Sequence, residues 1–228
     1  ISRYATQTLN WDGFYAGAMY DLQNIINTNS DPGTAAAAAE FGANANQIAI
    51  ARILKAYYFS VLTDAYGDIP YSQALKGNGT IPYDKQETIY PALIAELKAA
   101  NAQFTTGAAV QGDIMYAGNT TKWKKFANSL IATLSLRMSK ANPTLGKAEF
   151  AAAVAAGVID ANADNATISY PGGNYQNPVY AYYVVTQRFD YAVSSTIADK
   201  LTALGDPRIN VYGNNTKGFP YGLTRADA

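Results

Sequence analysis

Between Asn46 and Tyr66 the side chains Ile50, Ile53, Leu54, Tyr57, Tyr58, Val61 and Leu62 return every three or four residues. That spacing lays them along one face of an α-helix. An apolar stripe of this length has to be covered by another apolar surface, so the chain must pack helix on helix. Other stretches repeat the pattern. Trp11, Phe14, Tyr15, Ala18, Leu22, Ile25 and Ile26 predict a helix from about Asn10 to Thr28. Asp84, with Glu87 three residues later, reads as an acidic capping box opening a helix through Ile89, Tyr90, Leu93, Ile94 and Leu97. Trp123, Phe126, Leu130, Leu134 and Met138 mark another from Thr121, and Ser194 or Ser195 caps one that carries Ile197, Leu201 and Leu204. Shorter helices are expected at Ala35–Ala39 and at Ala148–Ala156.

The breaks between helices are equally informative. Gly67 is placed to close the Asn46–Tyr66 helix with a positive φ, and Ile69, preceding Pro70, must be extended. Pro91 lacks a backbone donor, which predicts a bend or a later helix start. From Ile159 to Tyr191 no helical period is found, and Asn, Gly, Pro and Tyr dominate. The fold class that follows is all-α, built of antiparallel helix pairs with a long irregular aromatic-rich insert.

Charge and composition narrow the chemistry. Lys and Arg total 17 against 17 for Asp and Glu, so no net field gathers phosphates and no nucleic-acid partner is expected. The absence of histidine and cysteine removes the commonest general base and the usual transition-metal and thiolate ligands. No nucleophile elbow, phosphate loop or metal-ligand cluster occurs, so the expectation is a protein without catalytic residues, metal or cofactor. Asp64 and Asp68 are four residues apart, but Asp68 lies past Gly67, where a carboxylate satisfies turn or helix-end amides. Asp160-Ala-Asn-Ala-Asp-Asn165 opens like a calcium loop, then places Asn165 and Pro171 where Gly and Glu are needed. It reads as a helix-exit turn. Trp11 and Trp123 sit on apolar stripes and read as core.

The insert is different. Tyr170, Tyr175, Tyr180, Tyr182, Tyr183 and Tyr191 alternate with Gly172, Gly173, Asn174, Gln176 and Asn177, and Gln187, Arg188 and Asp190 follow. A sugar ring has apolar C–H faces and a rim of hydroxyls, which flat aromatic faces with neighbouring amides match together. The candidate ligand-binding residues are therefore Tyr175, Tyr180, Tyr182, Tyr183, Asn174, Asn177 and Arg188. Each tyrosine has an alternative role, packing the insert onto the helices, and Arg188 has one in a surface ion pair.

Specific segments resemble the SusD/RagB family. Ala51-Arg-Ile-Leu-Lys-Ala-Tyr-Tyr-Phe-Ser-Val-Leu-Thr-Asp-Ala-Tyr-Gly-Asp-Ile-Pro-Tyr-Ser-Gln-Ala-Leu75 is similar to that family's signature helix and the turn that closes it. Blocks at Tyr83–Tyr90, Asp113–Asn119 with Trp123–Leu130, Gly205–Arg208 and Tyr221-Gly222 follow in family order. The resemblance implies tetratricopeptide-like helix pairs and a lipid-anchored protein on the outer face of an outer membrane. It also implies non-catalytic capture of a glycan or oligosaccharide, or of a peptide, and delivery to a SusC-like TonB-dependent transporter. A helical adaptor that grips only a protein partner is the third reading. The lipidated cysteine of the family does not occur in the sequence, and its C-terminal helices would follow Ala228. Residues 1–228 are thus expected to be a single, incomplete SusD-like domain.

Overall fold

A computed structural model describes residues 11–77, 79–188, 192–213, 218–220 and 222. The chain divides into two compact units, one running to Ser169 and the other beginning at Tyr170. Among the described residues the secondary structure is helical, with only isolated β-bridges.

The larger unit is built on long helices. Its first helical segment comprises α1 (Trp11–Gly13), a π-helical stretch (Phe14–Met19) and α2 (Tyr20–Ser30). Asn10, the predicted start, lies outside the described residues. The periodicity of a single helix is interrupted at Gly17, whose backbone (φ −103°, ψ −111°) leaves the helical region. After α3 (Ala35–Ala38) come α4 (Asn44–Tyr66), α5 (Gln86–Gln103), α6 (Thr120–Arg137) and α7 (Pro143–Ala156). Each packs on the next: α2 on α4, α4 on α5, α5 on α6 and α6 on α7. One apolar core joins them, with Met19, Ile53, Leu62, Ile89, Leu97, Trp123 and Leu134 fully enclosed. The buried face of α4 differs from the predicted stripe. Ala49, Ala51, Ala56 and Phe59 are buried while Tyr57 is exposed, because small residues let the neighbouring helices approach closely.

Helix ends are set by local chemistry. Asn119 caps α6 by accepting from Lys122 N at 3.1 Å. The helix predicted at Ala148–Ala156 begins earlier, because Asn142 accepts from Leu145 N at 3.2 Å and Pro143 occupies the first helical position, where its missing N–H costs nothing. α5 runs through Pro91 without a later start. Its cap is not the predicted one. Asp84 turns away and accepts from Tyr71 N (3.0 Å), Ser72 N (2.7 Å) and Ser72 Oγ (2.8 Å). Asp68 instead accepts from Gln86 N at 2.9 Å, the helix-end role expected of that carboxylate. Gly67 ends α4 at φ +76°, and Ile69, fully buried, pairs in extended form with Asp84. The Tyr66–Tyr71 turn is therefore a clasp between α4 and α5. Tyr15 adds to it by donating to Pro70 O at 2.6 Å.

The smaller unit contains α8 (Pro178–Tyr180) continuing into a π-helical turn (Ala181–Val185), then α9 (Ser195–Ala203) and α10 (Ile209–Tyr212). Ser194 caps α9 by accepting from Thr196 N at 3.2 Å. Ala198, Leu201 and Ile209 form its buried apolar cluster, with Val193 packed against them.

Candidate functional site

The aromatic insert is split between the units. Its first part is bound to the helical scaffold: Ser129 Oγ accepts from Ile159 N at 2.8 Å, and Tyr116 donates to Asp164 O at 2.9 Å. Lys125 Nζ lies 2.8 Å from both Asp160 and Asp164. Hydrogen bonds from Lys125 hold both carboxyls below the usual range and raise the lysine. The segment that begins like a calcium loop is thus a short 3-10 turn, Asn162–Asp164, closed by an ammonium group. Asp64 is likewise occupied, by Arg137 and the Tyr90 hydroxyl.

The candidate ligand residues all fall in the smaller unit. Gly172 and Gly173 carry positive φ values of 88° and 59°, and Tyr175 N donates to Gly172 O at 3.0 Å, so the chain turns tightly there. That turn displays Asn174 and Tyr175, and Tyr175 is 73% exposed, unusual for so large an apolar ring. Asn177 accepts from Val179 N (2.8 Å) and Tyr180 N (3.3 Å), and Pro178 follows it. This cap starts a helical turn where the sequence had shown no helical period, because two turns are too short to establish one. Tyr180, Tyr182 and Tyr183 consequently ride on a helical segment: Tyr180 is exposed, and Tyr182 and Tyr183 are half-buried. The Arg188 guanidinium sits 5.1 Å from the Tyr182 ring centroid, a cation–π arrangement that takes up one face of that ring. Tyr191 and Asp190 lie outside the described residues. Tyr175, Asn174 and Tyr180 are thus the members with open faces, whereas the Asn177 carbonyl oxygen and one face of Tyr182 are already engaged.

Trp123 is core, as read, and donates Nε1 to Asp113 at 2.7 Å. Trp11, half-buried, also packs against the main core as expected, and it meets a second group of aromatic rings in the larger unit. Its ring stands edge-on to Tyr66 (4.8 Å) and nearly parallel to Tyr83 (6.1 Å, 14°), and Tyr83 is 64% exposed. Sequence periodicity missed this group because its members come from the first helix, the end of α4 and the approach to α5.

The exposed rings and the neighbouring amide offer flat apolar faces together with neutral hydrogen-bonding groups. Among the described residues no cluster of carboxylates capable of holding a metal is present, and no helix is long and apolar enough to cross a membrane. The helix pairs form a tetratricopeptide-like scaffold, an architecture shared with solved SusD-like structures. Over residues 1–227 the sequence matches the family model described as starch-binding, associating with outer membrane, and the chain belongs to this SusD-like family. Among solved structures it is similar to a chitin-binding protein (33% identity, TM-score 0.73, covering 88% of this chain and 41% of that one). It is similar also to a chitin-binding SusD homolog from Flavobacterium johnsoniae (29%, TM-score 0.77, 95% and 45%) and to a SusD homolog from Bacteroides uniformis (31%, TM-score 0.72, 88% and 41%). The chain spans less than half the length of each of these proteins. No curated protein matches it.

Proposed function

We propose that this chain is part of a non-catalytic, surface-exposed nutrient-binding protein that captures a neutral glycan and passes it to a SusC-like TonB-dependent transporter in the outer membrane. The observation that carries this reading is the family match over residues 1–227, together with similarity to two structures named as chitin-binding. The open faces of Tyr175 and Tyr180, beside the exposed amide of Asn174, support placing ligand contacts in the insert. A pyranose would stack its C–H face on a tyrosine and hydrogen-bond its rim to the amide, both without charge. Lipid anchorage at the cell surface belongs to the same proposal, as does treating residues 1–228 as one part of a longer SusD-like domain.

Incubation with chitin and starch oligosaccharides at stoichiometric protein, followed by chromatography of the recovered sugar, tests the reading. Retention of at least one oligosaccharide with its length unchanged is expected. Shortened products would replace binding with hydrolysis. Retention of peptides in place of sugars would move the ligand to the other class the family resemblance implies.

A further inference from the structure

The larger unit holds a cleft of about 540 Å³, within the size range of small-ligand sites. It is formed by α2, α4, α5 and the turn that follows Pro70. Ala56, Phe59 and Leu93, which also belong to the main core, give it an apolar floor. Asn24, Asn27 and Ser72 add neutral hydrogen-bonding groups, and Tyr20, 52% exposed, adds an open ring. Tyr71 is fixed edge-on against Phe59 at 4.9 Å.

The charges lining this cleft do not cancel. Glu96 is matched by Arg52 through two parallel bonds, Nε to Oε1 at 2.7 Å and Nη2 to Oε2 at 2.8 Å. That geometry satisfies both partners. Lys55 donates to a neutral group, Gln23 Oε1, at 2.7 Å, and among the described residues no carboxylate accepts from it. Gln23 is itself oriented, since its Nε2 donates to Asn27 Oδ1 at 2.9 Å, so its oxygen stays directed at Lys55. Two of the three ammonium hydrogens are left for a ligand. Burial holds the Lys55 ammonium below its usual pKa, and Arg52 pushes the same way against the raising effect of Glu96. Lys76, at the other side of the lining, also has a neutral partner, Gln73 at 3.4 Å. With Glu96 neutralised by Arg52, Lys55 and Lys76 leave two positive charges without a counter-charge.

We propose that this cleft is a second binding site, selective for a small polar ligand that carries a carboxylate, which would seat on Lys55. The carboxylate would receive charge-assisted hydrogen bonds, about twice as strong as neutral ones, in a place where the ammonium has already lost much of its water. A uronic acid and the C-terminus of a short peptide share this chemistry. The site goes beyond the neutral-glycan reading and does not depend on it.

Calorimetric titration of the 228-residue chain at low salt with sodium glucuronate, triglycine and methyl glucoside tests it. Glucuronate or triglycine should bind at least ten-fold more tightly than methyl glucoside and weaken as salt is added. Lys55→Met should reduce that binding ten-fold or more at an unchanged unfolding midpoint. Lys76→Met, in an exposed turn, should weaken it several-fold and gives a folded variant should Lys55→Met unfold the helix pair. Glucuronate binding alone assigns a sugar acid, and triglycine binding alone assigns a peptide terminus. Affinity for methyl glucoside equal to that of the tighter-binding acid, silence of both acids, or indifference to both substitutions would overturn the proposal. A chitin oligosaccharide titrated into the same samples reports separately on neutral-glycan binding.

Discussion

Replacing Asp113 with alanine should remove about 4 kcal/mol from the stability of the helical unit. One carboxylate gathers four donors: Trp123 Nε1 at 2.7 Å and Gly118 N at 2.8 Å on one oxygen, Met115 N at 3.0 Å and Tyr116 N at 3.1 Å on the other. The indole is 1% exposed, so its N–H cannot turn to water once the acceptor is gone. An orphaned buried donor costs about 1–3 kcal/mol, and the three turn amides of Met115, Tyr116 and Gly118, which lose a shared acceptor, together cost about 2 kcal/mol more. Against a total of roughly 5–15 kcal/mol this is a large share. Urea denaturation followed by tryptophan fluorescence measures it. Asp113→Asn keeps one acceptor oxygen and should lose about half as much. In a cycle with Trp123→Phe the double variant should be less damaged than the sum of the singles, because removing the donor also removes its unmet need. A loss below about 1 kcal/mol, or additivity within the usual error of about 0.5 kcal/mol, would refute this role for Asp113.

Gly146→Ala should lower the melting temperature, although alanine favours a helix by about 1 kcal/mol. The added Cβ would stand 2.7 Å from Ser135 O, a backbone atom of α6, so the α6–α7 contact must open; a raised melting temperature would contradict this. Acid should weaken the Arg52–Glu96 clasp. The hydrogen bond from Arg52 is the main cause holding Glu96 below its usual pKa, so its stabilisation is present above the unfolded value of about 4.3 and is lost as pH falls through the lower folded value. Glu96→Gln should therefore flatten the decline of the urea midpoint below about pH 4, whereas superimposable pH profiles would show that the pair contributes nothing. Tyr83→Ala separates the two aromatic surfaces: glycan affinity that survives it leaves the insert as the binding face, while a ten-fold loss moves the contacts to the Trp11 group.

The long helices are legible because a repeated stripe specifies both an element and its buried side. The YGDIP turn is legible for a related reason, since Gly67 and Pro70 each restrict the backbone on their own. Capping is less so. Asp84 and Glu87 have the spacing of a capping box, yet Asp68 reaches Gln86 from the preceding turn, and local spacing carries no information about such a contact. The helical turn at Pro178–Val185 is too brief for periodicity, and the Asn177-Pro178 pair was its available sign. Chemical type alone points to Tyr175, which is exposed, but carries no sign that the Arg188 guanidinium lies over one face of Tyr182. The cleft was invisible to the same reasoning. Lys55 lies in the signature helix, Gln23 in α2 and Lys76 in a turn, and only folding brings them to one cavity.

The proposal that this chain holds a neutral glycan on open tyrosine faces has a direct test. Isothermal calorimetry of a soluble chitin or starch oligosaccharide against the chain and its Tyr175→Ala variant is the direct measurement. Saturable heat is expected for the unaltered chain, with an affinity lowered about ten-fold in the variant, as for loss of a stacking face contributing roughly 1 kcal/mol or more. No heat with any neutral glycan, or equal affinity in the two proteins, would contradict it.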